Sequence, residues 1–426
     1  MVFNIYDFFI KIRQLKTIVL YSIYDIIIRM AGKFIDFVKS LIPLSDEKRK
    51  LFFKLTDYIG ESEIKEIKKL LKQNKVEIIT KTMDISPQIL DNRDYLFIEN
   101  KTTNSILSNK LSELNKIMLD KKIEESYIDF SKNAINVIPK FIAMSINDYD
   151  YIKYAITLQL FSTYDEPVHI LLIGDKGVGK TNILRSVTNV NHNTIFGPGN
   201  GSLGLGFCVT VKGNNVENGL IANADKGICA IEKINLIKPR DQELLFSAME
   251  SGYFDYEDKK SKSYKFNARV RLLACLEPKD DRFVGWTLET LKKQIPVNDE
   301  ILSKFHLIFM IRKNKESNDH QISKNIIFAK HEKIMSADEK FICDFIENSA
   351  KINVEIPGEF DSKIVELVTK IKIDEKKYLV NVSPHLILGI KRMLKASARM
   401  RLSKKVNEDD YLLVKQIVLK GLKLYD

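Results

Sequence analysis

Four short stretches of unbroken apolar character stand out in the middle of the chain: His169–Ile173, Gly227–Ile231, Val270–Cys275 and Leu307–Ile311. Runs of this length without alternation fit strands buried on both faces of a parallel sheet. The segments between them carry helical spacing. Ser145–Leu160 reads as a helix, with Ile152, Tyr154, Ala155 and Leu158 as its apolar positions. Strands alternating with helices predict an α/β sheet joined by crossovers. Lys313–Asn325 is polar and reads as a linker, and Asp338–Lys423 as a mostly helical lid. Upstream, the pattern predicts a charged helix over Glu61–Lys72, strands over Val76–Lys81 and Tyr95–Glu99, and a helix over Ile106–Met118. The expected division is an amphipathic helical segment at 1–45, an α+β region at 46–135 with no motif tied to chemistry, an α/β core at 136–325 and a helical lid at 326–426.

Met1–Pro43 is rich in Ile, Phe and Tyr, but Lys11, Arg13, Lys16, Asp25, Arg29, Lys33, Asp36 and Lys39 interrupt it. No uncharged run nears the ~20 residues of a membrane-spanning helix, so no transmembrane segment is expected. Asp25, Arg29, Lys33 and Asp36 share one helical face, which suits packing against a core or a partner; the alternative is an interfacial membrane helix. Pro43 ends this segment, and no small-residue cleavage site marks a signal peptide.

Composition narrows the picture. The 426 residues are 45% hydrophobic and 29% charged, which excludes a disordered tail or a fibre. Cys208, Cys229, Cys275 and Cys343 stand far apart without a C-x-x-C pair. That spacing points to an intracellular, reducing compartment (cytoplasmic in a prokaryote, nuclear in a eukaryote) and away from a zinc knuckle. Of the net charge of +11, six units fall within Ile387–Asp426. A basic face suits DNA or RNA, and a lysine-rich solvated surface is the competing explanation.

The chemistry is most specific at Gly174-Asp175-Lys176-Gly177-Val178-Gly179-Lys180-Thr181, which meets G-x-x-x-x-G-K-[ST] at every fixed position. It follows the first apolar run and opens a helix expected over Asn182–Val187. Glycines let backbone N–H groups turn inward around phosphate oxygens, and the helix N-terminus adds its positive end. Lys180 is placed to reach the β- and γ-phosphates of ATP and Thr181 to ligate Mg²⁺. Glu232, after the second run, supplies a carboxylate expected beside the loop, at the end of a neighbouring strand. Lys233 follows, where a hydrolysing enzyme usually carries a second carboxylate.

These residues resemble the minichromosome maintenance (MCM) replicative helicases, within the AAA+ ATPases. The likeness runs in order over residues 137–426, about two thirds of the chain. Phe141–Ile146 and Ala155–Phe161 resemble the family's lead-in helix, His169–Thr181 its Walker A segment and Gly227–Lys233 its Walker B. Ala248–Glu250 and Phe266–Arg269 resemble the flanks of its presensor-1 hairpin. Ile301–Phe309 is similar to its arginine-finger segment, and Ala396–Leu402 to its lid helix. The resemblance implies a P-loop AAA+ core with a parallel sheet and a helical lid, behind a divergent N-terminal α+β region. It implies ATP and Mg²⁺ as cofactors, DNA as partner, and a homo- or hetero-oligomeric ring, with other MCM subunits in the mixed case. It also implies ATP hydrolysis coupled to duplex unwinding. The family's zinc-binding cysteine pairs have no counterpart, so no zinc is expected.

The departures are concentrated. Walker B has Glu232 and Lys233 where the family has Asp and Glu. Glu277 replaces the sensor-1 Asn, Lys304 the finger Arg, and His385 falls at the sensor-2 Arg. Lys180, Glu232, Lys304 and His385 are thus the implied catalytic positions. Residues from Gly174 to Asn182 form the nucleotide cradle, and Thr181 and Glu232 the metal ligands. Lys304 keeps positive charge but not the planar fork that bridges two phosphate oxygens. Loss of a finger costs about 10³–10⁵ in rate where it has been measured, so hydrolysis is expected to be impaired. The alternative function is a hydrolysis-deficient, ATP-binding regulatory or structural subunit beside an active helicase. A P-loop protein acting on other proteins is a third reading. Asp225 and Glu243 are the acidic candidates if the alignment at Walker B is shifted.

Tyr253–Phe266 reads as a hairpin with Lys259, Lys260 and Lys262 at its tip. By resemblance this is the DNA-touching presensor-1 hairpin, and its lysines would meet phosphates without reading bases. A shortened second pore loop is implied near Lys212–Val216, after the glycine-rich Gly197–Gly204. His169 reads as structural and Trp286 as a packing anchor.

Overall fold

A computed structural model describes residues 57–82, 94–313 and 337–422 with Leu51 and Lys54, except positions 103–104, 147, 202–203, 214, 286 and 379–383. The expected segment at 1–45, nearly all of the polar linker and Trp286 lie outside the described residues. The chain forms two compact units that divide at Ser126/Tyr127.

The first unit contains α1 (Glu61–Lys72), β1 (Val76–Thr82), β2 (Asp94–Asn100) and the start of α2 (Ser105–Ser131). The strands pair antiparallel with Ile78 opposite Ile98. Ile67, Val76, Ile78, Ile98, Leu111, Leu114 and Met118 form its core. The Asn115 side chain occupies the free edge of β2, accepting from Ile98 N (2.8 Å) and donating to Ile98 O (2.9 Å). Helix α2 runs well past the expected end at Met118. The charged stretch Asp120–Glu125 breaks the apolar spacing on paper, but Tyr127 and Phe130 resume a buried face.

The second unit continues with α3 (Ala134–Phe141), α4 (Asp150–Phe161), β3 (Ile170–Gly174), α5 (Lys180–Val190), β4 (Thr194–Pro198), β5 (Val209–Lys212), β6 (Asn215–Asn218), α6 (Leu220–Asn223) and β7 (Ile228–Glu232). Then come α7 (Pro239–Ser251), β8 (Tyr253–Glu257), β9 (Ser263–Asn267), β10 (Arg271–Leu276), α8 (Leu288–Gln294), α9 (Asp299–Ser303) and β11 (Leu307–Ile311). They are followed by α10 (Ala337–Ser349), α11 (Glu359–Ile373), α12 (Pro384–Met400) and α13 (Glu408–Leu422). Helix α4 starts at Asp150 rather than Ser145, because Tyr149 turns left-handed at φ 68°.

Five strands form one parallel sheet in the order β11-β3-β10-β7-β4. The four apolar runs become β3, β7, β10 and β11, and every residue of β3 and β10 is buried. This is the α/β P-loop core expected from the sequence. The fifth strand, β4, escaped the sequence pattern. It lies at the sheet edge, half-buried, and ends in Gly197-Pro198; an edge is where a sheet tolerates proline. One expectation is corrected by the strand order. Glu232 does not end the strand beside β3, because β10 lies between β3 and β7.

Buried polar groups fasten the helices to this sheet. Gln159 Nε2 on α4 donates to Val168 O (2.8 Å) and Leu272 O (2.9 Å). Arg271 Nη1 donates to Leu160 O (2.8 Å) and Ser162 O (3.1 Å) at the C-terminus of α4, where carbonyls lack helical partners. On α12, Arg392 Nη1 donates to Pro167 O (2.7 Å) and Arg399 Nη2 to Glu166 Oε2 (3.2 Å). Phe345 of α10 meets Phe130 and Phe161 edge-on at ring separations of 4.9 and 5.7 Å. No helix among the described residues is long and apolar enough to cross a membrane.

His169 and His306 stack at 5.1 Å where β3 and β11 begin, at the end of the sheet away from the phosphate loop. His169 N donates to His306 Nδ1 (2.9 Å), and Leu272 N to His169 Nδ1 (3.1 Å). Burial, aided by the positive Arg392, depresses His169 to about 3. Burial and the neighbouring His169 and Arg392 hold His306 well below its ordinary value. Both rings therefore fold neutral. Below pH ~6.5 the unfolded chain binds protons that the folded chain refuses, so stability is full above that value and falls toward pH 3. We expect His169 to cost on the order of 1 kcal/mol per pH unit below about pH 6, with His306 acting in the same direction. Urea unfolding at pH 7 and pH 5 measures it, and His169→Gln should flatten the dependence.

Candidate phosphate-binding site

Strand β3 delivers the chain to the loop Gly174–Thr181 at the carboxyl edge of the sheet. Gly174 is required there by crowding, since a Cβ would lie 2.5 Å from Ile311 O on β11. Gly177 and Gly179 take the left-handed values φ 83° and 90° that favour glycine. The loop is clamped from outside. The buried Asp175 carboxylate accepts from Phe283 N (2.7 Å) and Lys313 N (2.9 Å). Lys176 N donates to Asp281 O (2.8 Å), and its Nζ pairs with Asp281 Oδ2 (2.9 Å). Val178 is buried, and the exposed Asn182 lies in the first turn of α5, which begins at Lys180 rather than at Asn182. The first N–H groups of that helix have no helical partners and form an anion-favouring end.

Lys180 is almost fully buried. Its Nζ donates to Gly174 O (2.9 Å) and Asp175 O (2.6 Å). Burial lowers the pKa of this ammonium, opposed by Cys275, Glu277 and Asp175 around it. Burial likewise pushes the neighbouring Cys275 thiol up to about 11, so it stays protonated. Thr181 Oγ1 donates to Glu232 Oε1 at 2.8 Å. A hydroxyl and a carboxylate so placed are hard oxygen donors, the kind Mg²⁺ takes together with phosphates and water. No group of three or more His, Cys, Asp or Glu gathers among the described residues.

Lys233 and Glu277 meet in space. Lys233 follows β7 in the left-handed region at φ 55°, and Glu277 follows β10. Glu277 Oε1 lies 3.7 Å from Lys180 Nζ, and Oε2 lies 4.0 Å from Lys233 Nζ. Nothing in the linear order of the sequence shows β10 beside β7, so the nearness of residues 233 and 277 is visible only in the fold. The acidic alternatives do not reach this edge. Asp225 precedes β7 at the opposite end of the strand and grips Arg269 (Oδ2 to Nη2, 2.6 Å), and Glu243 is exposed on α7.

Lys304 and His385 come together elsewhere. Lys304 caps α9, forms an ion pair with Glu250 of α7 and lies 5.7 Å from the Phe246 ring centre. His385, in the first turn of α12, has its pKa lowered by burial and then by the Lys304 charge. It stands edge-on to His306 at 6.2 Å.

Strands β8 and β9 form the expected hairpin, with Glu257 opposite Ser263. At its tip, Asp258 Oδ1 accepts from Lys260 N (2.8 Å) and Lys262 N (3.0 Å), and Ser261 turns left-handed at φ 58°. The side chains of Lys259, Lys260 and Lys262 are exposed. Cations stack along the tyrosines of this hairpin: Lys265 over Tyr253 (3.7 Å), Arg240 over Tyr256 (4.5 Å) and Lys262 over Tyr264 (4.9 Å). Arg240 and Lys265 were not singled out from the sequence. The signal available for Lys265 was the alternation of Tyr264, Lys265 and Phe266 along a strand. A smaller hairpin, β5–β6, occupies the place of the implied second pore loop, with Lys212 and Glu217 paired at 2.8 Å.

Comparison with known proteins fits this geometry. Residues 121–331 match the family described as the MCM P-loop domain. The chain is 25% identical over 304 residues to the DNA replication licensing factor MCM7 of Arabidopsis thaliana, covering 65% of this chain and 42% of that protein. It is 26% identical over 324 residues to the licensing factor MCM4 of the same plant, covering 69% and 38%. It is 24% identical over 359 residues to the minichromosome maintenance protein MCM of Saccharolobus solfataricus, covering 78% and 52%. The chain thus spans about two fifths to one half of the length of these relatives.

Proposed function

The P-loop domain of this chain belongs to the MCM family, and we propose that the chain binds ATP with Mg²⁺ and engages DNA as a subunit of an oligomeric ring. The observation that carries this reading is the meeting of Thr181 with Glu232 at 2.8 Å, beside Lys180, at the end of β3. In this reading Lys180 leaves the loop carbonyls for the β- and γ-phosphates, and the N–H groups of Gly177 to Thr181 close around them. Thr181 and Glu232 would hold Mg²⁺, which when bound neutralises charge on the phosphate oxygens. Lys304 and His385, away from the phosphate loop, would serve a nucleotide on a neighbouring subunit once Lys304 releases Glu250. The relatives are named for DNA replication, which supports DNA as the polymer contacted. The cation-lined β8–β9 hairpin supplies phosphate contacts of the kind that carry no base specificity. Duplex unwinding driven by ATP is the activity that this combination serves.

A second reading, a subunit that binds ATP without turning it over, is favoured by Lys233, since an ammonium cannot accept a proton from water. It keeps the nucleotide site and differs only in the chemical step.

Two measurements bear on binding. Lys180→Ala should weaken ATP-Mg²⁺ affinity at least about tenfold in equilibrium titration, the loss of one charge-assisted contact. Unchanged affinity would remove the phosphate loop from the account. Replacing Lys259, Lys260 and Lys262 by Ala should lower affinity for single-stranded DNA and flatten the plot of log K against log salt by about 2, as three phosphate contacts are lost. An unaltered slope would place DNA elsewhere.

A further inference from the structure

At the carboxyl edge of the sheet, Glu232 and Glu277 have different surroundings. Glu232 is engaged with Thr181, the metal-ligand position of the loop. Glu277 is not. It follows Leu276, whose partner across the ladder is Ile173, so it leaves the sheet abreast of Gly174, where the phosphate loop begins. Its side chain is about one fifth exposed (22%), and the carboxylate has two cations as neighbours, Lys180 Nζ at 3.7 Å and Lys233 Nζ at 4.0 Å.

The geometry points to Glu277 as the catalytic carboxylate that orients the water attacking the γ-phosphorus of ATP and takes its proton. This rests on the nucleotide-binding reading above and adds the chemical step. A terminal phosphate drawn to Lys180 would stand close to Glu277. The repulsion between these two anions is offset by the ammonium groups of Lys180 and Lys233, and a water held between carboxylate and phosphate can donate a hydrogen bond to each. Glu277 can accept that proton, whereas Lys180 and Lys233 cannot. Lys233 acts differently. Its charge offsets that of Glu277, which would otherwise oppose triphosphate binding. The two substitutions at positions 233 and 277 are then one exchange, a cation at the end of β7 and a carboxylate at the end of β10, directed into the same space.

The step balances without a further reactant. The water oxygen bonds to the γ-phosphorus, and the bond from that phosphorus to the β–γ bridging oxygen breaks. ADP leaves with that electron pair. The water proton passes to Glu277 and from there to the released phosphate.

The test uses the full chain with single-stranded DNA, ATP and Mg²⁺ in single-turnover format, with equilibrium ATP binding measured beside it. Wild-type protein should convert bound ATP to ADP. Glu277→Gln should keep ATP affinity within about threefold while hydrolysis slows about a hundredfold or more, the usual contribution of a positioned base. Nucleotide recovered from that variant should be ATP. Lys233→Glu combined with Glu277→Gln returns one carboxylate to the same space from β7 and should recover at least about tenfold of the loss. Hydrolysis by Glu277→Gln at the wild-type rate overturns the assignment, as does a wild-type chain that binds ATP and forms no ADP. Failure of the wild-type chain to bind ATP at all would instead bring down the nucleotide-binding reading, and this assignment with it.

Discussion

A parallel sheet sends the carboxyl ends of all its strands to one edge, and the site depends on which strands are neighbours there. With β10 seated between β3 and β7, three strand ends converge: the phosphate loop after β3, Glu277 after β10, and Glu232 with Lys233 after β7. Move β10 to the outside and Glu277 would no longer stand between Lys180 and Lys233. The buried ammonium of Lys180 makes this arrangement consequential. A cation withdrawn from water needs compensating groups, and the loop carbonyls and Glu277 are those within reach.

The remainder of the second unit keeps that edge in place. Strands β3 and β10 are wholly buried, so their register is fixed by packing on both faces. Gln159 and Arg271 tie α4 to the strands through backbone groups, which side-chain substitution elsewhere cannot remove. Asp175 clamps the loop to the segments at Phe283 and Lys313, so contacts within the fold itself shape the glycine turn.

The sequence was most informative where a residue type meets a backbone demand. The phosphate loop, the four buried runs and the lysine-tipped hairpin are readable because glycine, continuous apolar stretches and turn residues each have few structural alternatives. Edge features were harder. Strand β4 has no unbroken apolar run, and its Gly197-Pro198 ending resembles a loop. The extension of α2 past Met118 was masked by six mostly charged residues whose neighbours on the helix resume burial. Long-range partners were illegible. Asp225, a plausible acid by position, is committed to Arg269 at the far end of β7, and the Lys233–Glu277 pair joins residues on strands whose adjacency only the folded sheet reveals.

The most direct measurement is a crystal or electron cryomicroscopy structure of the chain with a non-hydrolysable ATP analogue and Mg²⁺. The arrangement of the three strand ends predicts the γ-phosphate on Lys180, the metal between Thr181 and Glu232, and Glu277 one water away from the phosphorus. A nucleotide bound elsewhere, or a Glu277 carboxylate turned from the phosphate, would contradict it.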